Sequence, residues 1–229
     1  SLLNVPPHMS IGTMRLLTLV QESVSLGAFL KKGLVEIKTG LILGVVSAVG
    51  AIIGTSVVLN IPRSSLAIIV AGLMISLAII IPVIQSKTKT YRPIYIIRRL
   101  YKKIMEEGTL EVVPTAKIVL LIVLFFLLGI YGGFYGAGFG TISLIIFTYV
   151  GGTNLLTGAG NSRLVGFIMS LTASLVFVTK GSISWYYFTP LTIGTIAGAW
   201  FGVELADKLG VKYIKIILTI AVLIASAKV

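Results

Sequence analysis

Between Ile118 and Ser162 the chain reads IVLLIVLFFLLGIYGGFYGAGFGTISLIIFTYVGGTNLLTGAGNS, 45 consecutive residues without a charge. A transmembrane helix needs about 20 apolar residues to cross a hydrocarbon layer roughly 30 Å thick. The apolar part, from Ile118 to Val150, would be about 50 Å long as one helix at 1.5 Å per residue. That is too long for one ordinary span and too short for two. Ten of the chain's 25 glycines lie between Gly129 and Gly160, and glycine tolerates the backbone conformations at which helices stop. The stretch therefore predicts a broken helix: one span to about Tyr135, a break near Gly136–Gly140, and a short second helix to about Val150.

Other charge-free runs cover 39–62, 64–86 and 181–203, each longer than the roughly 18 residues that mark a candidate span. Apolar segments are expected at Met9–Leu30 (interrupted by Arg15 and Glu22), Thr39–Leu59, Leu66–Ile84, 159–179, 185–205 and 213–227. Over its 229 residues the chain is 56% hydrophobic and 11% charged, with a mean hydropathy of +1.05. Soluble domains carry about 25% charged residues. The sequence thus reads as an all-α, polytopic helical protein of the cell membrane, with seven apolar segments in contact with lipid.

The net charge of +12 does not point to nucleic acid, because eight of the 19 basic residues cluster between Lys87 and Lys117. Most of the others, Lys31, Lys32, Lys38, Arg63, Lys180, Lys208 and Lys212 among them, stand at the ends of apolar runs. That is the distribution of the positive-inside rule and of interfacial snorkelling. It makes the turn at 31–38 and the loop at 87–117 cytoplasmic and the turn around 60–64 external. The absence of cysteine removes disulfides and thiolate chemistry.

Shifted by 148 residues, the chain aligns with itself. Ten of 43 positions match without a gap, including Gly12 with Gly160, Arg15 with Arg163, Lys32-Gly33 with Lys180-Gly181, Gly50-Ala51 with Gly198-Ala199 and Gly54 with Gly202. Two repeats are expected: a first at 1–86 with three spans, a basic cytoplasmic loop at 87–116, and a second at 117–229 with the broken helix and three spans. The mate of the 118–150 segment would precede residue 1, so the first repeat lacks its opening element, and Ser1 suggests a longer parent or trimming. If the 138–150 helix completes a crossing, the halves are parallel and Lys180 is cytoplasmic. If it turns back, they are inverted and Lys208, Lys212 and Lys215 are cytoplasmic.

The glycines allow two readings. Gly132, Gly136 and Gly140 recur every four residues, as in closely packed membrane helices. Alternatively, a discontinuous helix presents free backbone N–H groups and a positive helix end to a cavity, as in anion-binding transporters. Gly138 lies off the four-residue ridge and fits only the second. Asn161 or Ser162 is a natural N-cap for the next span, which places Arg163 in its first turn or so. Arg163 either snorkels or joins Arg15, its repeat mate, in a positively biased central site suited to a small anion. Glu22 could carry a proton, pair with an arginine or make an interhelical contact. Its repeat mate is Ser170.

Enzymatic chemistry has little to work with. His8 is the only histidine and Asp207 the only aspartate, which leaves no HExxH zinc site and no aspartyl dyad. No GxxxxGK[ST] loop is present, and no cofactor or metal is expected. The competing readings are a membrane scaffold whose glycines only pack, and a carrier of a neutral or lipid-like solute.

The ordered pattern Gly136-Ala-Gly-Phe-Gly140, Gly160-Asn-Ser-Arg163, Lys180-Gly181 and Gly194/Gly198/Gly202, doubled as Gly12-Thr-Met-Arg15, Lys32-Gly33 and Gly50/Gly54, resembles the sulfite exporter TauE/SafE family. The resemblance covers essentially the whole chain, most strongly 118–205. Phe139 stands where the family has a glycine, a departure that could reshape the loop. The resemblance implies export or uptake of a small sulfur-containing anion such as sulfite or an organosulfonate, with export of the sulfite or organosulfonate type the expectation. Together these readings predict a binding site of Gly136, Gly138, Gly140, Asn161, Ser162 and Arg163, with Thr13 and Arg15 from the first half.

Overall fold

A computed structural model describes residues 6–62, 65–66, 69, 72 and 115–202. Among the described residues there are helices and their connections and no strand. Helix α1 spans Pro7–Lys31 and α2 Ile37–Asn60. Helix α3 spans Thr115–Phe134, and α4 spans Phe139–Ile145 and continues through a π-helical turn at Ile146–Gly151. Helix α5 spans Leu155–Thr179, and α6 covers 185–202. Helices α2, α3 and α5 are each long and apolar enough to cross a membrane. The broken helix falls as expected. The segments predicted at Leu66–Ile84 and 213–227, and nearly all of the basic loop, lie outside the described residues.

One helix start needs correction. The span expected from 159 begins at Leu155, where Asn154 caps it by accepting the Thr157 N–H at 2.8 Å. Asn161 and Ser162 are therefore interior residues, and Arg163 sits in the third turn. Gly158 and Gly160 lie inside the helix because another chain segment approaches there. A Cβ on Gly160 would overlap the Leu34 carbonyl.

Helices α2 and α3 run parallel through two interleaved glycine pairs. A Cβ on Gly50 or Gly54 would strike the backbone of α3, and one on Gly129 or Gly133 the backbone of α2. Ser47 and Thr55 exploit this proximity, donating to the carbonyls of Phe125 and Gly133 at 2.9 and 3.3 Å. Small residues at the contact and large ones such as Leu41, Val45 and Ile52 facing outward make the arrangement expected of helices packed in lipid. The close-packing pair on α3 is thus Gly129/Gly133. The ridge of Gly132, Gly136 and Gly140 does not act as one surface: Gly132 meets Met169 and Phe139, while Gly136 and Gly140 meet the two arginines.

Helix α4 turns back beside α3, bringing Gly152 next to the ammonium of Lys117 at the start of α3. Phe147 on its π-helical turn packs against Phe125 with ring centroids 4.8 Å apart and the planes tilted by 49°. Phe139 is buried in the same apolar core with Leu43, Val165 and Met169. The phenylalanine at this position anchors the start of α4.

Helices α1 and α5 pack antiparallel. Gly12, near the start of α1, lies against Phe177 and the Ser182 carbonyl beyond the end of α5. Gly160, near the start of α5, lies against Leu34 and Val35 beyond the end of α1. Both helices close in the same way. Gly33 at φ 65° and Gly181 at φ 63° take the left-handed conformation that commonly terminates a helix. The Leu34 N–H then reaches the Phe29 carbonyl at 3.1 Å, and the Ser182 N–H the Phe177 carbonyl at 2.9 Å.

Candidate functional site

The break between α3 and α4 is built by two glycines with positive φ, Gly136 at 69° and Gly138 at 75°. Backbone in this region is strained for residues with a Cβ. The last turn of α3 widens at its end as the Tyr135 and Gly136 N–H groups both bond the Tyr131 carbonyl, at 2.9 and 3.1 Å. The Tyr131 hydroxyl crosses the break to donate to the Ala137 carbonyl at 2.6 Å. On the far side the Phe139 N–H bonds Gly136 and the Ile142 N–H bonds Gly138, at 3.1 and 3.0 Å.

A cavity of about 330 Å³ opens at the break. Gly136, Gly138, Gly140 and Thr141 form one wall, Arg15, Thr18, Gln21 and Glu22 of α1 a second, and Arg163 and Ser170 of α5 a third. This is a protein cavity of the size that holds a small molecule, lined by charge where lipid would demand none.

The two arginines are treated differently. Arg163 donates through Nη1 to both carboxylate oxygens of Glu22, at 3.1 and 3.3 Å. The Glu22 side chain is 6% exposed and that of Arg163 31%, so the pair sits at the cavity wall and the guanidinium still reaches open space. Gly166 makes room for it, since a Cβ there would press on the Glu22 carboxyl. Arg15 is 3% exposed and lies flat on Gly136. Its Nη2 is buried with no hydrogen-bond partner among the described residues, and so is the Ser170 hydroxyl. A buried donor left unmade costs free energy, and more when it is charged.

Of the eight residues expected to form a site, the structure brings Arg15, Gly136, Gly138, Gly140 and Arg163 around one cavity and leaves Thr13, Asn161 and Ser162 outside its lining. Those three hold backbone. The Asn161 side-chain oxygen accepts the Glu36 N–H at 2.7 Å, and the Thr13 hydroxyl accepts the Ser184 N–H at 2.9 Å. Ser162 bonds the Gly158 carbonyl at 2.8 Å. Thr18, Gln21, Thr141 and Ser170 were missed as lining residues. Thr18, Gln21 and Glu22 recur at helical spacing from Arg15, which was the available signal.

A model of the family described as sulfite exporter TauE/SafE matches residues 1–229. The chain is 24% identical to "Probable membrane transporter protein ORF9" of a Sinorhizobium species, over 94% of this chain and 76% of that one. It is 25% identical to "Probable membrane transporter protein YunE" of Bacillus subtilis, over 88% and 71%. With "Probable membrane transporter protein YdhB" of the same organism the figures are 24%, 90% and 78%. No solved structure matches.

Proposed function

The chain belongs to the sulfite exporter TauE/SafE family of membrane transporters, and from that membership we propose that it moves a small anion, of the sulfite or organosulfonate type, through the cavity at the helix break. One observation carries the reading: Arg15 is buried against Gly136, lines the cavity and has an Nη2 with no partner among the described residues. A neutral or lipid-like solute would leave that charge uncompensated. An anion would accept from Nη2 and gain the charge-assisted bonds a guanidinium favours. Gly136, Gly138 and Gly140 let the backbone approach the ion, and Arg163, its charge met by Glu22, lines the facing helix. Thr13, Asn161 and Ser162 serve the frame.

Export needs no nucleotide hydrolysis, since moving one negative charge out of a negative interior gains about 2.3 kcal/mol per 100 mV. The test is uptake of methanesulfonate, thiosulfate and sulfite into proteoliposomes under an imposed potential. Wild type should show potential-dependent flux, and Arg15→Gln should reduce it at least tenfold while remaining folded. Flux of all three ions unaltered by Arg15→Gln overturns the site.

A further inference from the structure

Helices α1 and α5 begin at Pro7 and Leu155 and end at Lys31 and Thr179, each pair 148 residues apart. Their contacts repeat at the same separation. Thr13 holds the Ser184 N–H as Asn161 holds the Glu36 N–H, and Gly12 meets the Ser182 carbonyl as Gly160 meets that of Leu34. Under this correspondence Arg15 matches Arg163 and Ser170 matches Glu22. The Arg163–Glu22 pair, which joins α5 to α1, therefore has a counterpart in Arg15 of α1 and Ser170 of α5, which line the same cavity. There the carboxylate is replaced by a hydroxyl.

The consequence is visible in the bonding. Arg163 has its anion, at 3.1 Å. Arg15 Nη2 and Ser170 Oγ are both buried and both without a partner among the described residues, and both residues line the cavity. One oxygen and one negative charge are missing at the second seat relative to the first.

We propose that the substrate's anionic group sits between Arg15 and the Ser170 hydroxyl, in the position that the Glu22 carboxylate takes on Arg163. This rests on the anion-transport reading and adds its charge: with Arg163 neutralised by Glu22, the seat offers one uncompensated positive charge and takes a singly charged group such as a sulfonate, hydrogensulfite or carboxylate. The group accepts from Arg15 Nη2 and from the Ser170 hydroxyl, satisfying the two orphaned donors at once. Glu22 is then a built-in anion that keeps the first seat closed.

The test exchanges the two seats and reads methanesulfonate uptake into proteoliposomes, with melting temperature in detergent as the control for folding. Ser170→Glu should place a carboxylate on Arg15 and reduce uptake at least a hundredfold with no fall in melting temperature. Adding Glu22→Ser to it should open the seat on Arg163 and recover at least a tenth of wild-type uptake. Ser170→Ala, a mild change, should weaken the half-saturating concentration about tenfold. Wild-type uptake by Ser170→Glu, no recovery in the folded double variant, or an unchanged half-saturation in Ser170→Ala each overturns the proposal. If the wild-type protein moves neither methanesulfonate nor thiosulfate nor sulfite, the anion reading itself fails, and this inference with it.

Discussion

The guanidinium of Arg15 occupies the space that a side chain at position 136 would need, so Gly136 and Arg15 are admissible only together. Gly136 also sits at φ 69°, where a residue with a Cβ costs about 1–2 kcal/mol. Gly136→Ala should therefore lower stability by about that amount and displace Arg15 from the cavity wall. Anion flux should fall at least tenfold, more than the lost stability explains in a protein still folded by its melting curve.

The Arg163–Glu22 pair predicts an asymmetric pattern of loss. Removing one member of a buried pair leaves the other uncompensated and costs about 3–5 kcal/mol when burial is complete. Arg163 is 31% exposed, so Arg163→Gln should cost about 1–3 kcal/mol after allowing for solvent screening. It should also cut flux at least tenfold. The double variant Arg163→Gln/Glu22→Gln should melt above Arg163→Gln alone, because no unpaired carboxylate remains.

Asn161 and Thr13 support backbone at a distance from the cavity lining. Asn161→Leu removes the acceptor of the Glu36 N–H, and Thr13→Val that of the Ser184 N–H. Each should lower stability by about 1–3 kcal/mol, the cost of orphaning a desolvated donor. The concentration of anion at half-maximal flux should move less than twofold. A shift beyond tenfold would return these residues to the binding site.

Antiparallel packing of α1 and α5 predicts that their C-terminal ends lie on opposite sides of the membrane. With no native cysteine to mask the result, Lys31→Cys and Lys180→Cys should be labelled by an impermeant reagent from opposite faces, Lys31→Cys from the cytoplasmic one. Labelling of both from one face would mean that the repeats run parallel.

Glycines of one helix pair should tolerate substitution very differently from an open one. Gly54→Leu forces α2 away from the Ile130 carbonyl and should cost at least about 1–3 kcal/mol, the usual penalty of overpacking. Gly27 has nothing within 4 Å of a built Cβ among the described residues. Gly27→Ala should be neutral or stabilising by up to about 1 kcal/mol, since alanine is the better helix former. Thermal unfolding of the two variants in one detergent decides it.

The broken helix and the ends of α1 and α2 were legible within two or three residues, because charge-free length and a run of glycines are local properties. The start of α5 was not, since Gly158 and Gly160 read as the opening of the span until Thr148 and Thr153 are seen to crowd the first and Leu34 the second. For the same reason the ridge of Gly132, Gly136 and Gly140 misled: spacing along one helix does not say which neighbour faces each glycine. Arg15 and Arg163 stood out as charges within apolar runs. Glu22 stood out equally, but its partner depends on α1 and α5 crossing antiparallel, a tertiary fact that loop charges left open.

That crossing also gives the two arginines different electrical positions. Each lies eight residues into its own helix, about 12 Å from the end at which that helix begins, and those ends are on opposite faces. If the basic 31–38 turn is cytoplasmic, as the positive-inside rule predicts, Arg15 belongs to the outer half of the bilayer and Arg163 to the inner. An anion arriving from the cytoplasm must cross about two-thirds of the roughly 37 Å spanned by α1 to reach Arg15, gaining about 1.5 kcal/mol per 100 mV of inside-negative voltage. On that geometry, occupancy of the open arginine should follow the energised state of the cell: affinity measured from the inside should tighten about tenfold for each 100 mV and relax when the membrane is depolarised.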